Sequence, residues 1–355
     1  MSFFHWLATG SSNGILLEQE KEPALSKPFL PFYSAATLQS QSFDPGCSAD
    51  GPIGKEDLCR VARLAHIIDE RDGNLLADKI EHCSAQKISV VCADAIDDEP
   101  YVSSQINPLL HCRSQVVEAL TWIADALKAD QRFIAVYKNM SPLNTKIPAS
   151  IEGVPVRRME GRYPMEIRAF RALGDDTLII GSAALLHLYR AVTEGRVQTT
   201  SFVTVAGNCV TSPCNLEVTI GTPAAQILER CGLLREPTYL IEGSAMHGIC
   251  VTDPENTAVR ADTRSILAFH VDRQEQLYNC IGCGRCIEAC PLGLNPHKLY
   301  QCVTTAHLNK ATLLGIDRCI GCATCSYICP SRLDLAHTIT EGKRRCASRK
   351  EPADR

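Results

Sequence analysis

The sequence lacks any apolar run near the roughly 18–20 residues that a membrane span needs. Its start, MSFFHWLATGSSNGILLEQE, lacks the basic region and long apolar core of an export signal. A cytoplasmic protein is the expectation, with any membrane contact peripheral and made through a complex. Neither charge sign is in large surplus: the formal net charge of −4 is small and points to neither nucleic acid nor an anionic surface as a partner. Histidines do not cluster. His187, His247, His297 and His337 stand singly, with no second ligand at metal spacing, and no catalytic residue is assigned. What remains is ordinary for a globular protein: 355 residues, 45% apolar and 21% charged, enough for two or three domains with real cores.

Cysteine is the exception. Nineteen is a disulfide-like count only in a small secreted chain, so metal ligation in a reducing compartment is the better reading.

Residues 1–53 are rich in Ser, Pro and Gly and read as an irregular extension. From Lys55 a helical stripe (Leu58, Val61, Leu64, Ile67) opens an α/β domain over 54–196. Strands are expected at 87–93, 132–138, 153–159 and 176–182. A long helix capped by Ser104 is expected, with further helices at 165–173 and 183–193. Strands alternating with helices imply a mostly parallel sheet. In 197–250 the text becomes strand (201–207), strand (214–221), helix (223–232), strand (238–243), the outline of a small β-grasp unit. A linker or strand segment follows at 251–273, then a helical cysteine-rich module at 274–346 and a polar tail at 347–355.

That module holds CIGCGRCIEACP and CIGCATCSYICP, both C-x2-C-x2-C-x3-C-P, the run that holds [4Fe–4S] clusters in two-cluster ferredoxins. Three thiolates in one tight loop reach three corners of a cubane, with Gly282, Gly284 and Gly321 easing the turn. The fourth leaves on the next helix toward the other cluster, and Pro291 or Pro330 redirects the chain. The expected ligands are Cys280, Cys283, Cys286 and Cys329 for one cluster, and Cys319, Cys322, Cys325 and Cys290 for the other. Paired zinc sites fit poorly, because zinc ribbons lack the third cysteine and the Cys-Pro close. The helical text between Cys290 and Cys319 suits a helical ferredoxin module.

Other features have plainer readings. Cys59, Cys83, Cys92 and Cys112 lack ligand spacing and read as small buried apolar groups rather than a third cluster. Cys209 and Cys214 flank the β-grasp turn, where a reducing setting disfavours pairing. Gly46, Gly51 and Gly54 are not a phosphate loop, since Glu56 follows Gly54-Lys55. Lys343, Arg344 and Arg345 suit the C-terminal end of a helix, a reading preferred to their facing an acidic partner.

The module order, with FVTVAGNCVTSPCNLEVTIGTPAAQIL and the two cysteine runs, resembles the C subunit of the Rnf electron-transport complex over about 56–345. The cobalamin reductase of propanediol utilisation and a proline reductase-associated electron-transfer protein are its relatives. The β-grasp stretch resembles the SLBB domain. The resemblance implies a sheet domain akin to the NADH-oxidising subunit of respiratory complex I, binding FMN and NADH through a GxGGxGFP loop whose amides meet the phosphate. Here that stretch reads HIIDERDGNLLADKIEHC, with Gly73 alone and a run of charge. The family's NGAECEPY reads DAIDDEPY: Glu99, Pro100 and Tyr101 remain, but Asp94 and Ala95 replace Asn and Gly. The Asn of QNVAT is Gly181, and YPQGGE survives as YPMEI (163–167). Glu99 is the one residue left to assign to a flavin site, and its plainer role is a strand-end turn.

The expected function is therefore an iron–sulfur relay through two [4Fe–4S] clusters, served by redox partner proteins (a flavoprotein, a ferredoxin or a reductase complex), with FMN argued against. A working FMN-dependent NADH:acceptor oxidoreductase, cobalamin reductase-like, ranks second. A docking or assembly protein using the SLBB domain ranks third.

Overall fold

The computed structural model describes residues 32–34, 42–49, 51–83, 87–138, 147–272 and 276–348. Most of the expected irregular extension and the polar tail lie outside them. Phe32–Ser34 is an exception to the irregular reading: it forms a strand, β1. The chain divides into two compact units. The larger holds the described residues up to Ser244 together with Ile249–Phe269, and the smaller holds Ala245–Gly248 and the described residues from His270 onward.

In the larger unit the first sheet contains β2 (Val90–Ala95), β3 (Gln131–Tyr137), β4 (Ser150–Ile151), β5 (Val154–Met159) and β6 (Thr177–Gly181), ordered β4-β5-β3-β2-β6. All its pairings are parallel except that of the edge strand β4. The strands are β-branched and alternate between two buried faces, as a central parallel sheet requires. Val91, Ala93, Ala95, Ile134 and Val136 face one core, and Cys92, Phe133 and Ala135 face the other. The first core is completed by α1 (Lys55–Leu64), α2 (Leu76–His82), α3 (Ile106–His111), α4 (Arg113–Ala126) and α6 (Ser182–Glu194). The second is closed by α5 (Met165–Arg171) through Met165 and Phe170. Each fully buried Leu, Ile or Phe in these layers contributes about 1.5–3 kcal/mol.

Three helical expectations change. Leu64 is 54% exposed, and α1 buries Leu58, Cys59, Val61 and Ala62 instead. The long helix is two, broken at Cys112 (φ −133°, ψ 38°), so that Ile106 and Leu109 of α3 and Val116 and Leu120 of α4 reach the same core. Ser104 does not cap it. The Asp97 carboxylate accepts from the amides of Gln105 (3.2 Å) and Ile106 (3.0 Å) and does that work from the end of β2.

The second sheet is the β-grasp: β7 (Thr200–Ala206), β8 (Cys214–Thr219), β9 (Tyr239–Glu242), β10 (Ile249–Cys250) and β11 (Ser265–Phe269), with α7 (Ala224–Cys231) packed on it. The order is β1-β8-β7-β11-β9-β10. The segment 251–273, set down as linker or strand, supplies β11, which lies inside the sheet between β7 and β9. Gly207 (φ +122°) makes that possible, because a Cβ there would lie 2.0 Å from the Ala268 carbonyl oxygen.

The smaller unit is helical: α8 (Arg285–Ala289), α9 (Pro296–Thr304), α10 (Leu308–Leu313), a 3-10 turn (Ile316–Arg318), α11 (Thr324–Tyr327) and α12 (Leu335–Ala347). Asn295 caps α9 by accepting from the Lys298 amide at 3.0 Å, with Pro296 at the first helical position. A small core of Leu299, Ala311, Ile316, Leu335 and Ile339 joins the helices. Among the described residues, no helix is long and apolar enough to cross a membrane.

Candidate functional site

The smaller unit is two copies of one pattern: a cysteine loop, a short helix (α8 or α11), a Cys-Pro turn and a longer helix (α9 or α12). In the first loop Gly282 and Gly284 take left-handed backbone (φ +69° and +75°). In the second, Gly321 does so (φ +71°), and Ala323 adopts the same conformation (φ +59°) where the first copy has glycine. An L-residue held there costs about 1–2 kcal/mol, strain retained so that the loop can curl around its thiols.

The loops do not keep their fourth cysteines. Cys280, Cys283, Cys286 and Cys329 line one cavity, while Cys290, Cys319, Cys322 and Cys325 line another. Each cavity thus takes three thiols from one copy and one from the other. Among the described residues no three His, Cys, Asp or Glu side chains converge as ligands of a single ion. Thiols spread around a cavity are the arrangement a multi-iron cluster uses, so the donor set fits the group its spacing implies.

The two sets differ in setting. Cys280 and Cys283 are exposed, whereas all four thiols of the second set are partly buried. Burial pushes the Cys325 thiol well up, and neighbouring Cys322, Cys319 and Cys290 push it the same way. Burial raises Cys319, Cys322 and Cys286 as well. Loading iron onto such thiols must therefore release protons. Lys343 reads from the sequence as closing a helix end or facing an acidic partner. Its ammonium instead donates to the Cys319 carbonyl at 2.7 Å and pins the start of the second loop. The Ser326 hydroxyl accepts from the Ala336 amide at 2.8 Å and ties that loop to α12.

The other site is the C-terminal edge of the parallel sheet, where ligands of such sheets bind. At the start of α6 the free backbone amides and the helix dipole form an anion seat. Two consecutive carboxylates sit in it. Glu70 accepts from the amides of Ala183 (2.9 Å) and Ala184 (3.0 Å), and Asp69 accepts from that of Gly181 (3.1 Å). Both acids are buried, and burial together with Asp69 pushes the Glu70 carboxyl up to about 7. Lys79 neutralises Asp69 from 2.5 Å and Asp72 from 2.7 Å. A Cβ on Gly181 would stand 2.2 Å from Glu70 Oε1.

The acids of DAIDDEPY are likewise used by the chain. Asp94 pairs with Arg71 at 2.9 Å, and Asp98 caps α5 by accepting from the amides of Met165 (2.5 Å) and Glu166 (3.0 Å). Burial pushes Asp94 well up and Asp98 up to about 6. Glu99 accepts from the Tyr163 hydroxyl (2.8 Å) and the Ser244 hydroxyl (2.6 Å). These residues do not fit a flavin phosphate, because carboxylates hold the donors that a phosphate would need.

Fold and site together describe an iron–sulfur type of chain: an α/β sheet domain, a β-grasp domain and a two-loop cysteine module. Family models agree with this order. A 4Fe-4S dicluster domain matches residues 279–333 and an SLBB domain matches 202–248. The expected resemblance to the Rnf C subunit is borne out. The chain is 27% identical over 253 residues to the C subunit of the ion-translocating oxidoreductase complex of Rhodobacter capsulatus, covering 64% of this chain and 48% of that protein. It is 24% identical to the protein of the same name from Klebsiella pneumoniae, covering 64% and 33% respectively. Against the C subunit of the proton-translocating ferredoxin:NAD(+) oxidoreductase complex of Clostridium ljungdahlii it is 23% identical, covering 60% and 51%. The chain thus spans about half, or less, of the length of these curated relatives. In fold it is similar to the NAD+-reducing [NiFe]-hydrogenase in the air-oxidized state, with a TM-score of 0.51 at 14% identity, covering 76% of this chain and 55% of that one.

Proposed function

We propose that the chain is an electron relay of an oxidoreductase complex, working on the cytoplasmic side with redox proteins as donor and acceptor. Cys280, Cys283, Cys286 and Cys329 hold one [4Fe–4S] cluster, and Cys319, Cys322, Cys325 and Cys290 hold the other. Each cluster supplies one-electron storage when bound. The polypeptide supplies the spacing of the thiols and the hydrogen bonds that hold the loops. The observation that carries this reading is the exchange of one cysteine between two thiol-lined cavities. The dicluster match over 279–333 and the similarity to C subunits of ion-translocating complexes support it. The carboxylates held at the sheet edge support a chain that takes its electron from another protein rather than from its own flavin.

One anaerobic preparation tests this. Reconstituted protein should hold about eight iron and eight sulfide per chain, release no flavin on acid denaturation, and show no bleaching with NADH alone. Cys290→Ser should disturb the cluster of the second loop, and Cys329→Ser that of the first, each read by EPR after reduction. Stoichiometric FMN or rapid bleaching by NADH would show a flavoenzyme instead.

A further inference from the structure

We infer that Asp69 and Glu70 form a built-in plug of the sheet domain's anion seat, and that Gly181 is the residue that makes room for it. The inference rests on the flavin-free reading above and gives it a physical cause. Two departures from the Rnf C pattern, far apart in sequence, meet at one place. Where the resembled pattern has a glycine-rich loop this chain has a charged one, and where that pattern has Asn this chain has Gly181, the last residue of β6. A side chain at position 181 would collide with Glu70, since even its Cβ would lie 2.2 Å from the carboxylate oxygen. The loop change supplies the plug and the glycine supplies its socket. Neither makes sense alone.

The plug reproduces what a phosphate would do. The Glu70 oxygens take the amides of Ala183 and Ala184 one each, as two oxygens of a bound anion would. Asp69 takes the amide of Gly181, just before the helix. The loop that delivers them is braced. Ile68 and Leu75 pair across it, the Asp69 carbonyl accepts from the Gly73 amide at 2.8 Å, and Lys79 and Arg71 anchor its charges. Glu70 is tied to the seat and the loop is tied to the sheet. A flavin phosphate would therefore have to displace a buried, doubly hydrogen-bonded carboxylate from a braced loop.

Three measurements on the full-length, cluster-loaded protein decide this. In the wild type, hydrogen exchange at Gly181, Ala183 and Ala184 should be as slow as in the interior of α6 without any added anion. Fast exchange there that slows on adding inorganic phosphate would overturn the plug. Glu70→Ala frees two amides, so it should melt lower than wild type in chloride and recover saturably in phosphate at equal ionic strength. Wild type should gain nothing from phosphate, and Glu70→Gln, which still fills the seat although its one oxygen can accept from only one of the two amides, should gain no more than a small fraction of what Glu70→Ala gains. Equal gain in all three, or no recovery in Glu70→Ala, sinks the inference. Finally, Gly181→Ala should lower the melting temperature of wild type clearly more than that of Glu70→Ala, and equal losses would show that glycine and plug are not matched. The relay reading stands or falls separately. A flavin-free protein with fast-exchanging amides loses the plug and keeps the relay, while a protein that carries FMN loses both.

Discussion

In the smaller unit the chain turns eight cysteine side chains toward two cavities and leaves the centre of each to another group. At the edge of the parallel sheet it does the reverse, and sets its own carboxylates on the amides where an anion would sit. The two regions use buried polar groups differently. One arranges donors that need a guest, and the other pairs donors and charges internally until none is needed. The difference teaches that one chain can gather thiols around a cavity in one unit and pair its buried charges internally in another. A domain keeps its fold without a guest when Asp, Glu, Lys and Arg of its own restore the hydrogen bonds that the guest made.

The largest expected effect comes from removing iron. The core of the smaller unit is a handful of residues around Leu299, Ile316 and Ile339, too few to hold about 70 residues without a staple. Chelation under mild oxidation should therefore abolish hydrogen-exchange protection across 276–348 and leave that of β2 and β3 intact. Loss in both units, or in neither, would erase the contrast between them.

Next in size is the charge pair that joins the two sheets of the larger unit. Arg190 of α6 donates to Glu217 of β8 at 2.5 Å, and Thr200 donates to the same carboxylate at 2.8 Å. Only 14% of the Arg190 side chain and 9% of that of Glu217 are exposed. Glu217→Ala leaves a buried guanidinium without its partner and should cost about 3–5 kcal/mol. Urea unfolding followed by exchange at β7 and β8, with cluster absorbance unchanged, would register it. A loss below about 1 kcal/mol would mean that the pair behaves like an exposed one and that internal charge is not what holds this unit.

Local chemistry made much of this legible in the sequence. Four of the five strands of the first sheet are short runs found within a few residues of their expected places, and only the two-residue edge strand β4 has no expected counterpart. The cysteine spacing predicts a crossed partition of thiols, and each of the two cavities is lined by three cysteines of one copy and one of the other. Long-range contacts stayed hidden. β11 is a five-residue run whose place between β7 and β9 depends on both neighbours. Asp97 caps α3 from across a loop, so Ser104 looked like the cap. α2 is short and charged, with no stripe long enough to announce it. Glu70 meets Ala183 across more than a hundred residues. The only hint was that a glycine had appeared where Asn was expected and an acidic pair where glycines were expected.

The smallest effect concerns pH, and two buried groups of the larger unit make it separable. His187 in α6 is buried, and its Nε2 has no hydrogen-bond partner among the described residues. Burial, with Arg190 and Arg196 nearby, outweighs the opposing Glu217 carboxylate and the hydrogen bond to the Thr200 backbone and lowers its pKa from the usual 6.5 to about 3. The unfolded chain then binds a proton between about 6.5 and 3 that the folded chain refuses, so this group's contribution is complete above pH 6.5 and is lost on acidification. Glu70 has the opposite sign. With its carboxyl raised from 4.5 to about 7, the folded state binds the extra proton, and this contribution grows as pH falls across that range. The two oppose one another over about pH 4.5–6.5, and the raised Asp98 and Asp94 share the sign of Glu70, so the pH profile of the wild type alone does not isolate His187. The informative quantity is the stability difference between wild type and His187→Leu. It should move against wild type by roughly 1–2 kcal/mol between about pH 7 and 5.5. A difference that stays constant over that range would show that His187 is hydrated in the folded chain, and would remove it from the set of groups that the larger unit keeps dry.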